Sequence, residues 1–123
     1  MKGNIHLGEG ELTVMQVIWQ AGKPVTSVDI GRMVEERGWK KTTIATFLTR
    51  LTEKGALQAE KQGKLYYYTP CITKEEYRRA QTHSLITRLY QGSAREFAVA
   101  LFGEGQLRPE ELEKLEKLLE EEE

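Results

Sequence analysis

The sequence predicts a mainly α-helical chain carrying one small β-hairpin. Three observations lead there. Apolar residues recur at helical spacing through most of the 123 residues. That period gives way to extended, β-prone runs between positions 56 and 69. Glycines, prolines and cap-forming Ser or Thr fall at the ends of the helical stretches. With hydrophobic residues at 39% and charged residues at 30%, the composition suits a globular chain and is too apolar for a disordered one.

The first helix is expected over Gly8–Ala21. Gly8 serves as N-cap and Glu11 as the reciprocal member of a capping box. Leu12, Val14, Met15, Ile18 and Trp19 give it a broad apolar face, and Gly22 with Pro24 ends it. Val25 fits a short strand. Thr26 then caps a second helix, Ser27–Arg37, whose first turn holds Asp29, where the helix dipole favours an acid. Val28, Ile30, Met33 and Val34 are its core candidates, and Gly38 is its stop. Trp39 lies in a tight connection to the next helix.

That third helix, 41–54, is the distinctive one. In KKTTIATFLTRLTEKG, residues 40–55, Ile44, Phe47, Leu48 and Leu51 form the apolar stripe. The opposite side carries Thr42, Thr46 and Thr49, with Ala45 and Arg50 on its shoulders, and stays free of acid until Glu53. A solvated helix usually interleaves long Glu and Lys at i,i+4. Small side chains instead let a helix backbone approach another surface, and Thr offers a methyl and a hydroxyl to a base edge. The same face would also suit water or a protein neighbour.

After Gly55 the segments Ala56–Gln62 and Lys64–Thr69 read as a hairpin turning at Gln62-Gly63. Alternation in its second arm leaves open whether Tyr66 and Tyr68, or Leu65 and Tyr67, face inward. Pro70 closes the unit. Three helices, the second and third joined by a short turn, followed by a hairpin with basic residues 61–64 at its tip make a winged helix-turn-helix pattern. Two domains are therefore expected, 1–71 and 72–123.

Capping boxes at Thr73/Glu76 and Ser93/Glu96 signal helices over Lys74–Tyr90 and Ala94–Phe102, stopped by Gly92 and Gly103. Pro109 opens a last helix, Pro109–Glu121, although Arg108 is a poor cap. Leu112, Leu115, Leu118 and Leu119 are its stripe, and Glu120–Glu123 form an acidic tail expected to fray. Ile86, Leu89, Tyr90, Phe97, Leu101, Phe102, Leu112, Leu115 and Leu119 are more apolar surface than three short helices can cover. A two-fold homodimer would cover it.

The net charge of −1 conceals an imbalance: residues 1–70 carry +3 and residues 71–123 carry −4. Within 39–64 the balance is +4, from Lys40, Lys41, Arg50, Lys54, Lys61 and Lys64 against Glu53 and Glu60. A local basic surface is what a polyanion meets. Double-stranded DNA is thus the expected partner. Lys40 and Lys41 would meet a phosphate at the N-terminus of helix 3, Thr42, Thr43 and Thr46 the major groove, Arg50 the backbone, and Lys61 and Lys64 the backbone or minor groove. The alternatives are a winged-helix protein-interaction module and a non-specific architectural DNA binder.

The stretches LGEGELTVMQVIW (7–19), TIATFLTRLTEKGAL (43–57), YYYTP (66–70), ITRLYQGS (86–93) and LRPEELEKLEKLL (107–119) resemble the penicillinase-repressor and methicillin-resistance-regulator family of bacterial transcription repressors. The resemblance implies a winged-helix domain on a palindromic operator, a C-terminal helical dimerisation domain, and repression by promoter occupancy. Ala45 stands where several members carry a longer, often basic side chain, so the operator sequence does not carry over. Members released by a membrane-bound sensor-protease are cut at an Asn-Phe bond; the matching candidate cleavage pair here is Leu101-Phe102. The Cys-x-Cys of the copper-responsive branch is missing.

Other chemistry finds little support. His6, His83 and Cys71 share no metal-site spacing. No phosphate loop, nucleophile elbow or HExxH occurs, so neither catalysis nor a cofactor is expected. Trp19 and Trp39 read as packing residues. No apolar run approaches the ~20 residues that span a bilayer, the opening MKGNIHLGEG has no apolar stretch, and the single cysteine allows no internal disulfide. A cytoplasmic protein without membrane insertion is expected.

Overall fold

A computed structural model describes residues 5–105 and 107–121, with side chains given through residue 118. Its contacts divide the chain into two compact units, Met1–Tyr77 and Arg78–Glu123.

The first unit runs α1 (Glu9–Ala21), α2 (Ser27–Met33), a 3-10 turn (Glu35–Arg37), α3 (Lys41–Glu53), β1 (Leu57–Gln62) and β2 (Leu65–Pro70), and takes in the first turn of α4 (Lys74–Tyr90). Its core gathers Val14, Met15 and Ile18 of α1, Ile30 of α2, and Ile44, Leu48 and Leu51 of α3 under Val25, Leu57 and Ile72. Those residues sit at the i, i+3/i+4 positions the sequence marks as stripes, so one apolar face per helix closes on a common centre. The caps form as expected. Gly8 N–H donates to Glu11 Oε1 at 2.8 Å, and Thr26 and Asp29 exchange a reciprocal pair at 3.0 and 3.2 Å.

The hairpin is antiparallel, with register from Leu57↔Pro70 to Gln62↔Leu65. Val25 adds an isolated bridge to Tyr68, exchanging both backbone hydrogen bonds with it. Neither alternative that alternation left open holds as a pair: Tyr68 packs half-buried against the core while Tyr66 is exposed, and Tyr67 is half-buried while Leu65 is exposed.

Three expectations need correction. The second helix ends at Met33 because Val34 leaves helical geometry at φ −111°, ψ 20°, and residues 35–37 tighten into a 3-10 turn. Val28 and Met33, expected in the core, are 54% and 38% exposed, since a helix this short turns inward chiefly at Ile30. The strands begin one residue later than expected, which places Lys64 in the turn beside Gly63 rather than on the second strand.

The chain beyond Pro70 is bound into the first unit. Trp19 Nε1 donates to the Ile72 carbonyl at 2.9 Å, and Trp19 and Tyr77 face each other with ring centroids 6.0 Å apart. The hydroxyl of Tyr77 accepts the Leu7 N–H at 3.3 Å. The first unit therefore extends six residues past position 71.

The second unit holds the rest of α4, then α5 (Ala94–Phe102) and α6 (Pro109–Glu121). Ser93 Oγ caps α5 by accepting the Glu96 N–H at 3.1 Å. Arg108, poor as a cap by its own side chain, is served from the other direction: Glu111 Oε1 accepts its backbone N–H at 3.0 Å. Ile86, Ala94 and Ala98 are buried within the single chain, and Tyr90 meets Phe97 edge-on at 5.6 Å. Leu89, Val99, Leu101, Phe102 and Leu118 remain exposed, and Leu112 and Leu115 are half-buried. The side chains of Leu119, Glu120 and Glu121, and all of Glu122 and Glu123, lie outside the described residues.

Candidate nucleic-acid interface

α3 presents the surface from which the site is built. Ile44, Leu48 and Leu51 anchor it in the core. Their burial leaves Lys41, Thr42, Ala45, Thr46, Thr49 and Arg50 exposed, and Thr43 half-buried at the edge of that face. The face is thus the small, acid-free one read from the sequence. Thr43 reaches only its margin.

Two details give this surface chemical character. Lys40 is the N-cap in extended geometry, no side chain caps the helix, and its first turn holds no acid. α2 and α4, by contrast, have their leading N–H groups engaged by Thr26/Asp29 and Thr73/Glu76. An open helix start flanked by Lys40 and Lys41 favours a phosphate through both its N–H groups and its dipole. Further along, the Thr46 hydroxyl donates to the Thr42 carbonyl at 2.9 Å. Its proton is spent there, so Thr46 offers a base edge one acceptor oxygen and a methyl group.

At the hairpin tip Lys61 and Lys64 are exposed. Lys61 Nζ stands 5.9 Å from the ring centroid of Tyr66, its cross-strand partner. That cation–π contact restrains a long side chain without removing its charge.

One basic residue of the 39–64 cluster turns elsewhere. Lys54 Nζ lies 2.6 Å from Glu11 Oε1 and donates to the His6 carbonyl at 2.9 Å. Burial pushes the Glu11 carboxyl up; the Lys54 hydrogen bond, the Gly8 N–H and the charges of Lys54 and Arg50 outweigh it and hold the group below its ordinary value. Sequence reasoning counted Lys54 only in the basic balance of 39–64 and Glu11 only as a cap, and no local pattern links positions 43 residues apart. It also missed Gly10, which lets α1 approach Phe47 so closely that a Cβ there would overlap the ring. Phe47 in turn packs on Trp39 at 5.0 Å, and the Arg37 guanidinium covers Trp39 at 5.8 Å. Trp19 and Trp39 are packing residues, as expected.

In the second unit, Leu101 and Phe102 close α5 and are 60% and 57% exposed. Ile86, expected at an interface between chains, is already covered by its own chain.

A three-helix core, a basic-tipped hairpin and an acid-free helix face define a winged helix-turn-helix protein of the nucleic-acid-binding class. The chain belongs to the penicillinase repressor family, whose model matches residues 7–121. It is 35% identical over 121 residues to the penicillinase repressor of Bacillus licheniformis, spanning 98% of this chain and 94% of that one. It is 23% identical over 114 residues to the methicillin resistance regulatory protein MecI of Staphylococcus aureus strain N315, spanning 93% of each. Among solved structures, the DNA-binding domain of the repressor BlaI matches 58% of this chain and 88% of that one, at 34% identity and a TM-score of 0.53. The Bacillus licheniformis BlaI monomer in complex with the blaP half-operator matches 59% and 89%, at 34% identity and a TM-score of 0.51.

Proposed function

We propose that this chain is a transcriptional repressor that occupies a palindromic operator as a homodimer. α3 lies in the major groove, and the 61–64 wing lies on flanking backbone or minor groove. The observation that carries this reading is the α3 face itself: exposed Thr42, Ala45, Thr46 and Thr49 behind an uncapped, lysine-flanked helix start. Small side chains let the backbone approach base edges, while Lys40, Lys41, Arg50, Lys61 and Lys64 supply sequence-independent phosphate attraction. The relative solved on a half-operator carries the same fold over this unit, which supports the assignment.

Dimerisation belongs to the second unit. Leu89, Leu101, Phe102 and Leu118 are exposed apolar side chains on helices too short to cover them, and a second copy removes that surface from water. Leu112 and Leu115 extend the same interface. Two reading helices in successive major grooves set the half-sites about one helical turn, or a multiple of it, apart. The units divide the labour at residues 77–78, with reading before that point and pairing after it. A sensor-protease that cut at the exposed Leu101–Phe102 bond would sever α6 and release the operator.

Selection of bound fragments from random DNA, followed by footprinting, tests the assignment. An inverted repeat with a steep log–log salt dependence supports it. Binding without preference over competitor DNA makes the chain an architectural binder, and salt-insensitive capture of a protein makes it an interaction module.

A further inference from the structure

The first turn of α1 meets α3 at two places. At Gly10 there is no side chain, and Phe47 occupies the space: a Cβ would stand 2.8 Å from Phe47 Cε1 and closer still to Cζ. Seven residues on, about two helical turns along the same face, Lys54 reaches back to Glu11 Oε1 at 2.6 Å and to the His6 carbonyl at 2.9 Å. The same Glu11 oxygen accepts the Gly8 N–H, and Glu11 is only 5% exposed. The pairs Arg108–Glu111 and Glu113–Lys117, by contrast, are local and exposed. A lysine that donates to a buried carboxylate and to a carbonyl has two of its three N–H groups engaged and its charge neutralised.

We propose that Lys54 is a positioning residue for operator recognition: with Glu11 and the His6 carbonyl it clamps the far end of α3 to α1, and it does not contact DNA phosphate. Ile44, Leu48 and Leu51 seat α3 in the core, and the contact of Phe47 with Gly10 sets its approach to α1 at one point. The clamp is a second point two turns away. Together they fix the direction in which Thr42, Ala45, Thr46 and Thr49 face. A short side chain reads a base only within the narrow range of hydrogen-bond geometry, whereas a long lysine finds its phosphate over a wider range of helix orientations. Loosening the clamp therefore erodes sequence discrimination before it erodes general affinity. This inference rests on α3 being the reading helix.

The test uses the full chain and two probes, a duplex selected from random DNA by the unaltered protein and a shuffled duplex of equal composition, each titrated across a salt series. Lys54→Gln should lower the ratio of the two affinities by about tenfold, the scale of one base contact, with the salt slope unchanged. Glu11→Gln should reproduce that loss, the double substitution should add little to it, and Lys54→Arg should restore most of it. A slope reduced by ~1 with both duplexes weakened equally would identify a phosphate contact and overturn the proposal. Equal weakening at unchanged slope, with lowered melting temperature, would reduce the clamp to general stability and overturn it too, as would no change at all. Thr46→Ala in the same series separates the two levels. If it erodes discrimination while Lys54→Gln does not, the clamp alone fails; if Thr46→Ala leaves discrimination intact, α3 as reader fails.

Discussion

Gly10→Ala places a methyl group where the Phe47 ring already lies. The new Cβ would stand 2.8 Å from Cε1 and 3.0 Å from Cε2, well inside van der Waals contact, and the ring has little room to retreat because Trp39 packs on it at 5.0 Å. Two effects compete. Replacing glycine by alanine in a helix gains up to ~1 kcal/mol, and less in a first turn such as this one. Overpacking a filled site costs ~1–3 kcal/mol. The clash wins, and a net loss of about 1 kcal/mol is expected, which lowers the melting temperature of a unit this size by ~4–8 °C. Urea denaturation followed by tryptophan emission measures it, since Trp19 and Trp39 both lie in the unit Met1–Tyr77. The decisive comparison is Gly10→Ala in a Phe47→Leu background. There the shorter side chain clears the methyl and the cost should vanish, giving a coupling of about 1 kcal/mol. A Gly10→Ala chain as stable as the parent, or one that loses the same amount in both backgrounds, would refute the reasoning.

Other outcomes are expected at other places. Lys64→Ala should weaken selected and random DNA about equally and lower the salt slope by ~1, read by anisotropy titrations at several salt concentrations. Leu101→Asp should turn a dimer into a monomer in light scattering at micromolar concentration while the melting of the first unit stays put, because its side chain is 60% exposed in the single chain. Glu11 has a depressed pKa in the folded state. Its contribution to stability is therefore present above the unfolded glutamate value of about 4.3 and is lost as the pH falls through the lower folded value. Glu11→Gln should accordingly be less stable than the parent at pH 7, with the gap closing in acid, as seen by denaturation at a series of pH values. Trp19→Phe removes the hydrogen bond to the Ile72 carbonyl and should cost about 1 kcal/mol in the same urea assay.

Much of the architecture could be read from local pattern. The capping boxes at Thr26/Asp29 and Thr73/Glu76 close both ways. Gly8/Glu11 and Ser93/Glu96 each form one arm, the Ser93 N–H going to the Tyr90 carbonyl instead. Such bonds lie within four residues and need no distant partner. The exposed threonine face of α3 was visible because the opposite stripe is strictly apolar and must point inward. Local pattern failed where a neighbour decides the outcome. Val28 and Met33 have the chemistry of core residues, yet on the short α2 they stay at the surface. Ile86 looked like interface and is covered by its own chain. Alternation could not tell which tyrosine meets the core, because Tyr68 joins a core that includes its bridge partner Val25, 43 positions away.

The sequence by itself therefore determined the helices, their ends apart from that of α2, the hairpin and the acid-free face of α3, all properties set by side-chain periodicity and contacts a few residues apart. Only the tertiary structure decided which lysine pairs with Glu11, which glycine receives Phe47, and that the chain past Pro70 is bound to Trp19. The physical reason is range. Periodicity records which side of an element avoids water, but it holds no information about which element will be found on that side.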